Sequence, residues 1–463
     1  MNAYAPQAYT ILDVNSMQTA MAAPLHLAPV GDKAVDLDFD GGLLSSDAGL
    51  VLLKAPDEQL GLTRALAAVL KDARDPRRVH FTLHDLLKQR VFQIAAGYED
   101  ANDANTLRHD PIFKLLLDRL PDTGPPLASQ PTLSRFENHV SRTELYRMAC
   151  VLVDQFLASY AHPPQLIVLD FDDTEDPVHG EQEQARYDGY YGGYCFLPLH
   201  LYEGLSGRLI TTIFKAKRFT GMQMLAVLKR LVKRLRQTWP DTLLIFRGDS
   251  HFAYPEVMQW IEAQANLHYV TGLTSNAVLQ TLAHDVVEQT KRAYEHDGGK
   301  ITRFHSTRYQ AGTWSRSRRV VIKVEVSDQG VNTRFVVTDM EEARTKVLYQ
   351  HIYCARGQAE NEIKDHKRYL KSDRTSCHRF EANQFRMFLH SAAYVLLDTL
   401  RREVFKTAPW ACATMETIQL HVLKLGARVQ EWTDRIKISL PSSCPVAPLV
   451  RRSLTLLACV RLV

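Results

Sequence analysis

The sequence predicts an α/β protein with a mixed central sheet, a β-rich insertion and helical regions towards both ends. Three observations support this. Short apolar runs alternate with amphipathic stretches across residues 163–290. β-Branched residues alternate with polar ones within residues 291–345, as in half-buried strands. Residues 41–162 and 377–463 have the apolar spacing of helices.

The N-terminal region begins with a loose arm, residues 1–40, that shows no clear periodicity. A helical domain at residues 41–162 follows, and we expect it to bind DNA. It contains two short helices joined by a tight turn near residue 140. This pair is either a helix-turn-helix that places Arg135 and Asn138 in a DNA groove or a plain α-hairpin.

The predicted core has the element order β-β-β-α-β-α-β. Its strands are expected at residues 166–172, 194–202, 209–215, 243–247 and 267–272, with helices at residues 220–237 and from Pro255 onwards. Three antiparallel strands followed by α/β crossovers are the order of a ribonuclease H-like core. The insertion interrupts this core, which resumes with a helix inside residues 346–376.

Acidic residues stand where this fold would bring them together. Asp170 and Asp172 point to one side of the first strand, because side chains alternate along a strand. Asp249 follows the fourth strand, at the sheet edge where open α/β sheets hold their sites. Glu360 lies on the helix after the insertion. Taken singly, the aspartates could equally be capping residues.

Converging carboxylates repel one another unless a cation compensates them. Oxygen ligands without a Cys or His cluster favour Mg²⁺, or Mn²⁺, over zinc. Two such ions, about 3.5–4 Å apart, would hold the attacking and leaving oxygens of a phosphoryl transfer.

The stretch around Glu360 adds cations to this picture. On an ideal α-helix Arg356, Glu360 and Lys367 fall within about 60° of the direction of Tyr353. Such a face suits a metal-bound phosphate, because the carboxylate takes the metal and the cations take phosphate oxygens. The alternative is a solvated helix face with ordinary charge pairs.

Composition limits the class of protein. Seven scattered cysteines argue against a disulfide framework and for a reducing compartment. The sequence has neither a signal peptide pattern nor an apolar run long enough to span a membrane. We therefore expect a cytoplasmic protein without a membrane partner. A net charge of +4 permits nucleic acid as a partner without arguing for it.

The spacing Tyr353-x2-Arg356-x3-Glu360-x6-Lys367 resembles the tyrosine-arginine-glutamate-lysine signature of DDE-class transposases of bacterial insertion sequences. The Asp-Phe-Asp-Asp-Thr run at residues 170–174 and the Arg-Gly-Asp-Ser-His-Phe run at 247–252 resemble the same class. The closest resemblance is to the insertion-sequence family called thirteen-eighty, and it covers residues 40–400.

The resemblance implies a metal-binding catalytic triad of Asp172, Asp249 and Glu360. Asp172 is preferred because the family pattern is Asp-x-Thr, and Asp170 is the alternative. Tyr353, Arg356 and Lys367 would grip phosphates near the transposon end. Trp314, in the insertion, would help to hold a flipped base, although a core tryptophan explains it equally well.

The implied function is cut-and-paste transposition through a hairpin intermediate, on double-stranded DNA carrying terminal inverted repeats and on target DNA. Two ends must be cut and joined together, so we expect a homodimer on DNA, in a bacterial, nucleoid-associated setting. Two alternatives remain: a ribonuclease H-like nuclease or resolvase that cuts without joining, and a non-catalytic DNA-binding relic of a transposase.

Overall fold

The computed structural model describes residues 25–406 and 410–459 of the chain. Its largest element is an eight-stranded sheet, whose strands we number in chain order. They are β1 (Leu166–Asp173), β2 (Leu199–Glu203), β3 (Leu209–Ile213), β4 (Leu243–Gly248), β5 (Leu267–Leu273), β6 (Ile301–Tyr309), β7 (Arg318–Ser327) and β8 (Gly330–Thr338).

The order across the sheet is β3-β2-β1-β4-β5-β8-β7-β6. Strands β1, β4 and β5 run parallel to one another. All other neighbours pair antiparallel. Helix Gly221–Thr238 connects β3 to β4, and helix Pro255–Ile261 connects β4 to β5. The middle of β1 and nearly all of β4 are buried, as expected for central parallel strands.

The strand predicted at residues 194–202 proves to be two strands. Pro198 separates Gly193–Phe196 from β2, because proline has no N–H to donate to a strand ladder. Gly193–Phe196 instead lies in the middle of a small three-stranded sheet, between Asp176–Pro177 and Arg186–Asp188.

The β insertion extends the central sheet, since β8 pairs with β5. It contains the two strands that the sequence indicates and a third, β6, that the pattern did not reveal. Strand β6 lies at the sheet edge and is exposed on parts of both faces, so its residues do not alternate cleanly. The 21-residue helix Ala277–Asp297 precedes it.

Helices dominate the two flanking regions. Those before the sheet are Val51–Leu60, Leu62–Ala68, Leu83–Ala95, Ala104–Leu107, Pro111–Leu116, Gln130–Glu137 and Arg142–Ala158. Those after it are Thr345–Val347, Gly357–Lys364, Phe380–Thr399, Met415–Ile418 and Ala447–Cys459. Part of the predicted loose arm, residues 1–24, lies outside the described residues. The rest includes an antiparallel hairpin, Leu25–Val30 with Lys33–Leu37.

The two helical regions, which the sequence suggested as separate domains, share one apolar core. Phe92 from the first region and Phe385 and Leu389 from the second belong to the same buried cluster. Strand Ala427–Glu431 also pairs with Leu44–Ser45. Helix Phe380–Thr399 is buried along most of its length and so forms the centre of this helical body.

A buried ion pair fixes three of these helices. The Arg90 guanidinium donates through Nε to Glu137 Oε1 at 2.6 Å, and both side chains are almost fully buried. Arg386 Nε lies 3.8 Å from the other oxygen of Glu137. Removing one partner of such a group leaves an uncompensated buried charge, so helix Gln130–Glu137 is held firmly against the core.

None of the helices within residues 25–406 and 410–459 is both long enough and apolar enough to cross a membrane.

Candidate active site

Asp172 and Asp249 are neighbours at the carboxyl ends of two parallel strands. Phe171 in β1 pairs with Gly248, the last residue of β4, so Asp172 and Asp249 each follow a paired residue at the same edge of the sheet, and the charge of Asp249 acts on Asp172. Neighbouring strands are about 4.8 Å apart. The two carboxylates predicted from strand positions therefore do converge.

Asp249 also shapes the turn after β4. Its Oδ1 accepts a hydrogen bond from the backbone N–H of His251 at 2.8 Å, and its Oδ2 lies 2.9 Å from Nδ1 of the same residue. The capping role proposed as an alternative is thus real, and it leaves the side chain 29% exposed beside Asp172. Capping and metal binding are compatible, because a carboxylate has four lone-pair directions.

Glu360 reaches this pair through Arg356. The Arg356 guanidinium donates to Asp172 Oδ2 at 2.8 Å through Nη1 and to Glu360 Oε1 at 3.4 Å through Nη2. Arg356 and Asp172 are mostly buried, whereas the Glu360 side chain is 64% exposed. One cation therefore bridges two of the three predicted ligands.

The Asp172 carboxyl group is in an unfavourable environment for a charge. Burial raises its pKa to about 7; the cation of Arg356 lowers it, and the charges of Asp249, Asp173 and Glu360 raise it further. This is the pattern of a carboxylate kept in a low-dielectric cleft among like charges. Such perturbed groups cluster at functional sites.

Asp170, the alternative first ligand, has a different role. Both of its oxygens accept hydrogen bonds from Arg247, at 2.5 and 2.6 Å, and both side chains are 1% exposed. Arg247 also donates to the carbonyl of Ile352 at 2.6 Å. The pair thus ties β1 and β4 to the segment that precedes Tyr353, and this geometry favours Asp172 as the residue available to a ligand.

The stretch predicted as one α-helix from Tyr353 to Lys367 is irregular. A π-helical segment, Leu348–Tyr353, and a 3₁₀ turn, Cys354–Arg356, precede helix Gly357–Lys364, and a second π-helical segment, Asp365–Tyr369, follows. Because π and 3₁₀ turns change the rotation per residue, the calculated common face of four side chains does not apply.

The charge of Lys367 acts on Asp176 and His200. Burial is the largest cause of the raised pKa of Asp176 and of the lowered pKa of His200, and the charge of Lys367 lowers both. His200 pairs with Asp172 across β1 and β2, and it is completely buried. Lys367 is half-buried and acts on the strand neighbour of Asp172, whereas the Arg356 guanidinium contacts Asp172 itself.

Tyr353 stands close to the turn after β4. A Cβ on Gly272 would come within 2.8 Å of both the Tyr353 hydroxyl oxygen and the backbone nitrogen of Ser250. Burial raises the pKa of Tyr353, Arg356 lowers it, and Asp249 raises it. The phenol, Arg356 and the carboxylates therefore lie close to one another.

Sequence reasoning missed two cations of this cleft. Lys215 Nζ lies 2.8 Å from Asp173 Oδ2, and both side chains are largely buried. Arg247, described above, neutralises Asp170. The signal for Arg247 was present, because Arg247 and Asp170 occupy equivalent positions on adjacent strands. Lys215 carried no comparable signal, since it lies past the end of β3.

The remaining predicted residues lie apart from the carboxylates. Trp314 is 6% exposed, with its ring centroid 5.3 Å from that of Tyr309 and 5.0 Å from the Arg318 guanidinium; this burial favours the core explanation. Arg135 is exposed on helix Gln130–Glu137. Asn138 caps that helix, donating to the carbonyl of Ser134 at 2.9 Å.

Across the described residues, no three His, Cys, Asp or Glu side chains are gathered closely enough to hold a metal ion. The chemistry of the donors nevertheless fits Mg²⁺ or Mn²⁺, because Asp172, Asp249 and Glu360 offer only carboxylate oxygens. Arg356 supplies positive charge between two of them. A cation that used all three would have to displace that guanidinium.

Comparison with known proteins gives a family. The family model described as "Transposase DDE domain group 1" matches residues 27–462. Among solved structures, a piggyBac transposase synaptic complex with hairpin DNA is similar, with 12% sequence identity and a TM-score of 0.44, over 82% of this chain and 80% of that chain. No protein with a curated description matches. Since the family model spans almost all of the 463 residues, the chain belongs to the DDE transposase family.

Proposed function

We propose that this DDE transposase moves an insertion sequence by cutting and joining DNA. The observation that carries the proposal is that Asp172 and Asp249 directly follow paired residues of β1 and β4, with Glu360 linked to Asp172 by Arg356. Carboxylates in a shared cleft at the ends of parallel strands are suited to phosphoryl transfer on DNA.

The proposed core is ribonuclease H-like. The sheet order β3-β2-β1-β4-β5, with the first three strands antiparallel and the last three parallel, supports it. In this interpretation β6–β8 are an insertion that widens the sheet, and helix Gly357–Lys364 covers the carboxylate end.

The ligands proposed for two Mg²⁺ or Mn²⁺ ions are Asp172, Asp249 and Glu360. Bound ions would polarise the scissile phosphate and activate the attacking hydroxyl. Asp170 is not needed for this, because Arg247 engages both of its oxygens. Glu360 has the exposure and the side-chain length to turn towards Asp172 and Asp249.

Arg356 has two tasks in this proposal. Without DNA it compensates Asp172 and Glu360, which would otherwise repel each other. With DNA its guanidinium takes phosphate oxygens in a bidentate manner. Tyr353 and Lys367 are proposed as further phosphate contacts, Tyr353 from within the cleft and Lys367 from the Asp176 side.

The proposed partners are terminal inverted repeats and target DNA, bound by a homodimer. The helical region at residues 41–162 contributes Arg135, exposed on helix Gln130–Glu137, to the end-binding surface. The signature spacing supports a bacterial, cytoplasmic element of the thirteen-eighty type, moved by cut-and-paste through a hairpin intermediate.

A test of the proposal follows the products formed on an element with its own terminal repeats. We expect wild-type protein with Mg²⁺ to release the element, to leave hairpin ends transiently and to join the ends to a plasmid target. Cleavage without joined products would identify a nuclease or resolvase instead. Repeat binding without cleavage in Mg²⁺ or Mn²⁺ would identify a non-catalytic relic.

A further inference from the structure

A hairpin beside the active site exposes a cluster of tyrosines. Its strands are Arg186–Asp188 and Gly193–Phe196. Tyr187, Tyr190 and Tyr194 are 62%, 80% and 63% exposed. Clustered exposed rings of this size mark interaction surfaces more often than idle ones.

The tyrosines are held on a rigid support. Tyr187 and Tyr194 face each other in register, with ring centroids 5.8 Å apart. At the tip, the Asp188 carboxylate accepts a hydrogen bond from the backbone N–H of Tyr190 at 2.9 Å. At the base, Phe196 is fully buried and packs against Phe214, with centroids 4.6 Å apart. These contacts therefore hold the hairpin in one conformation and keep its tyrosine rings exposed.

The C-terminal end of this hairpin leads back to the central sheet, whose strand β1 carries Asp172. Asp176, three residues after the end of β1, pairs with Phe196. Asp173 pairs with Leu199, three residues after Phe196. Tyr190 is nine positions before Leu199, where the chain re-enters the central sheet, so the tip lies within about 30 Å of that point.

Cations accompany the rings. Lys217 and Arg218 follow β3, and neither lies within 4.0 Å of a carboxylate in the part of the chain that the structure describes. Burial raises the pKa of both Tyr191 and Asp173, and the charge of Arg218 lowers both. The charge of Arg218 therefore acts both on a tyrosine of the hairpin and on Asp173 at the end of β1.

We propose that the tyrosine hairpin, residues 186–196, is a stacking site for unpaired nucleotides of the DNA strand that enters the active site. Aromatic faces stack on bases, and the adjoining cations take the phosphates between them. Within a duplex the faces of each base are covered by its neighbours, so the ligand has to be unpaired. This inference rests on the proposed function, because the unpaired nucleotides would belong to the DNA that the transposase is proposed to cut.

The test compares two labelled DNAs: a blunt 20-bp duplex, and the same duplex ending in a fork of four unpaired thymidines per strand. Binding is measured with full-length protein in EDTA, so that no cleavage occurs. Stacking of one base contributes about 1–3 kcal/mol, so wild-type protein should prefer the fork about fivefold or more. Tyr190→Ala and the Tyr187→Ala/Tyr194→Ala double variant should lose that preference while binding the blunt duplex as before.

Two controls make the result specific. The corresponding Tyr→Phe variants should keep the preference, because stacking needs the ring and not the hydroxyl. Trp432→Ala removes an exposed aromatic ring from the C-terminal region, outside the residues proposed to bind DNA, and should change nothing. The proposal is overturned if wild-type protein binds both DNAs equally, if the alanine variants weaken both equally, or if Phe behaves like Ala. A change of oligomeric state in the alanine variants would overturn it too, by identifying a contact between copies.

Metal-dependent cleavage of the fork by wild-type protein is scored separately. Fork preference that depends on the tyrosines, without any cleavage, would contradict the proposed chemistry and support the stacking site. Cleavage without fork preference would support the proposed chemistry and contradict the stacking site.

Discussion

Replacing Asp172 with asparagine should stabilise the protein in a pH-dependent way. The Asp172 side chain is only 15% exposed. Burial is the largest cause of its pKa of about 7; the Arg356 cation opposes this rise, and the neighbouring carboxylates add to it. A folded-state pKa above the unfolded value means that the folded protein holds the proton more tightly. Asp172 therefore favours folding most at low pH, and this contribution is lost as the pH rises through about 7.

The size of this change in stability follows from the pKa shift of Asp172. With an unfolded value near 3.8 and a folded value of about 7, wild-type protein should lose about 2–3 kcal/mol between pH 5 and pH 8.5 through this group alone. The asparagine variant has no such titration. Its stability relative to wild-type protein should therefore rise by that amount over the same interval.

Urea unfolding of both proteins at pH 5 and pH 8.5, in EDTA, measures this difference. Asp241→Asn, a change at an exposed aspartate, is the matched control and should show no comparable trend. If the relative stability of Asp172→Asn is the same at both pH values, or falls as the pH rises, the carboxylate is not in the destabilising environment described here.

Three further predictions concern neighbouring residues. Asp170→Asn should destabilise the fold by about 3–5 kcal/mol by leaving the buried Arg247 uncompensated; equal urea midpoints would contradict this. Arg356→Ala and Lys367→Ala should each weaken binding to any DNA sequence and lower the slope of log binding constant against log salt concentration by about one unit. Unchanged slopes in a salt titration would show that neither side chain contacts a phosphate. Two subunits should be present in a complex with two element ends, and a mass corresponding to one subunit would refute the expected homodimer.

Local patterns predicted the parts of the site that depend on strand geometry. Alternation along β1 and the position of Asp249 after β4 require only knowledge of strand direction, and the structure places Asp172 and Asp249 at the same edge of the sheet. The sequence also indicated the first five strands in order. It misplaced a boundary at Pro198, where a single residue without an N–H divides one apolar run into two strands.

Features that depend on tertiary contacts were not predictable in this way. The calculated face of the Tyr353 stretch assumed a regular α-helix, but the structure has π and 3₁₀ segments there, and Arg356 contacts Asp172. Helical periodicity also gave no sign that the two flanking regions share one core, because the pattern of a helix shows its buried face but not its partner.

The most direct test of the account is metal-dependent cleavage of an element end by three variants. Asp249→Asn and Glu360→Gln change little in shape but remove a carboxylate charge, and Glu416→Gln alters an exposed glutamate outside the cleft. We predict that the first two bind the end with near wild-type affinity, since phosphate contacts carry most of it. Their single-turnover cleavage should fall at least about 1000-fold, whereas Glu416→Gln should cleave normally. Cleavage by Glu360→Gln at the wild-type rate would contradict the central claim.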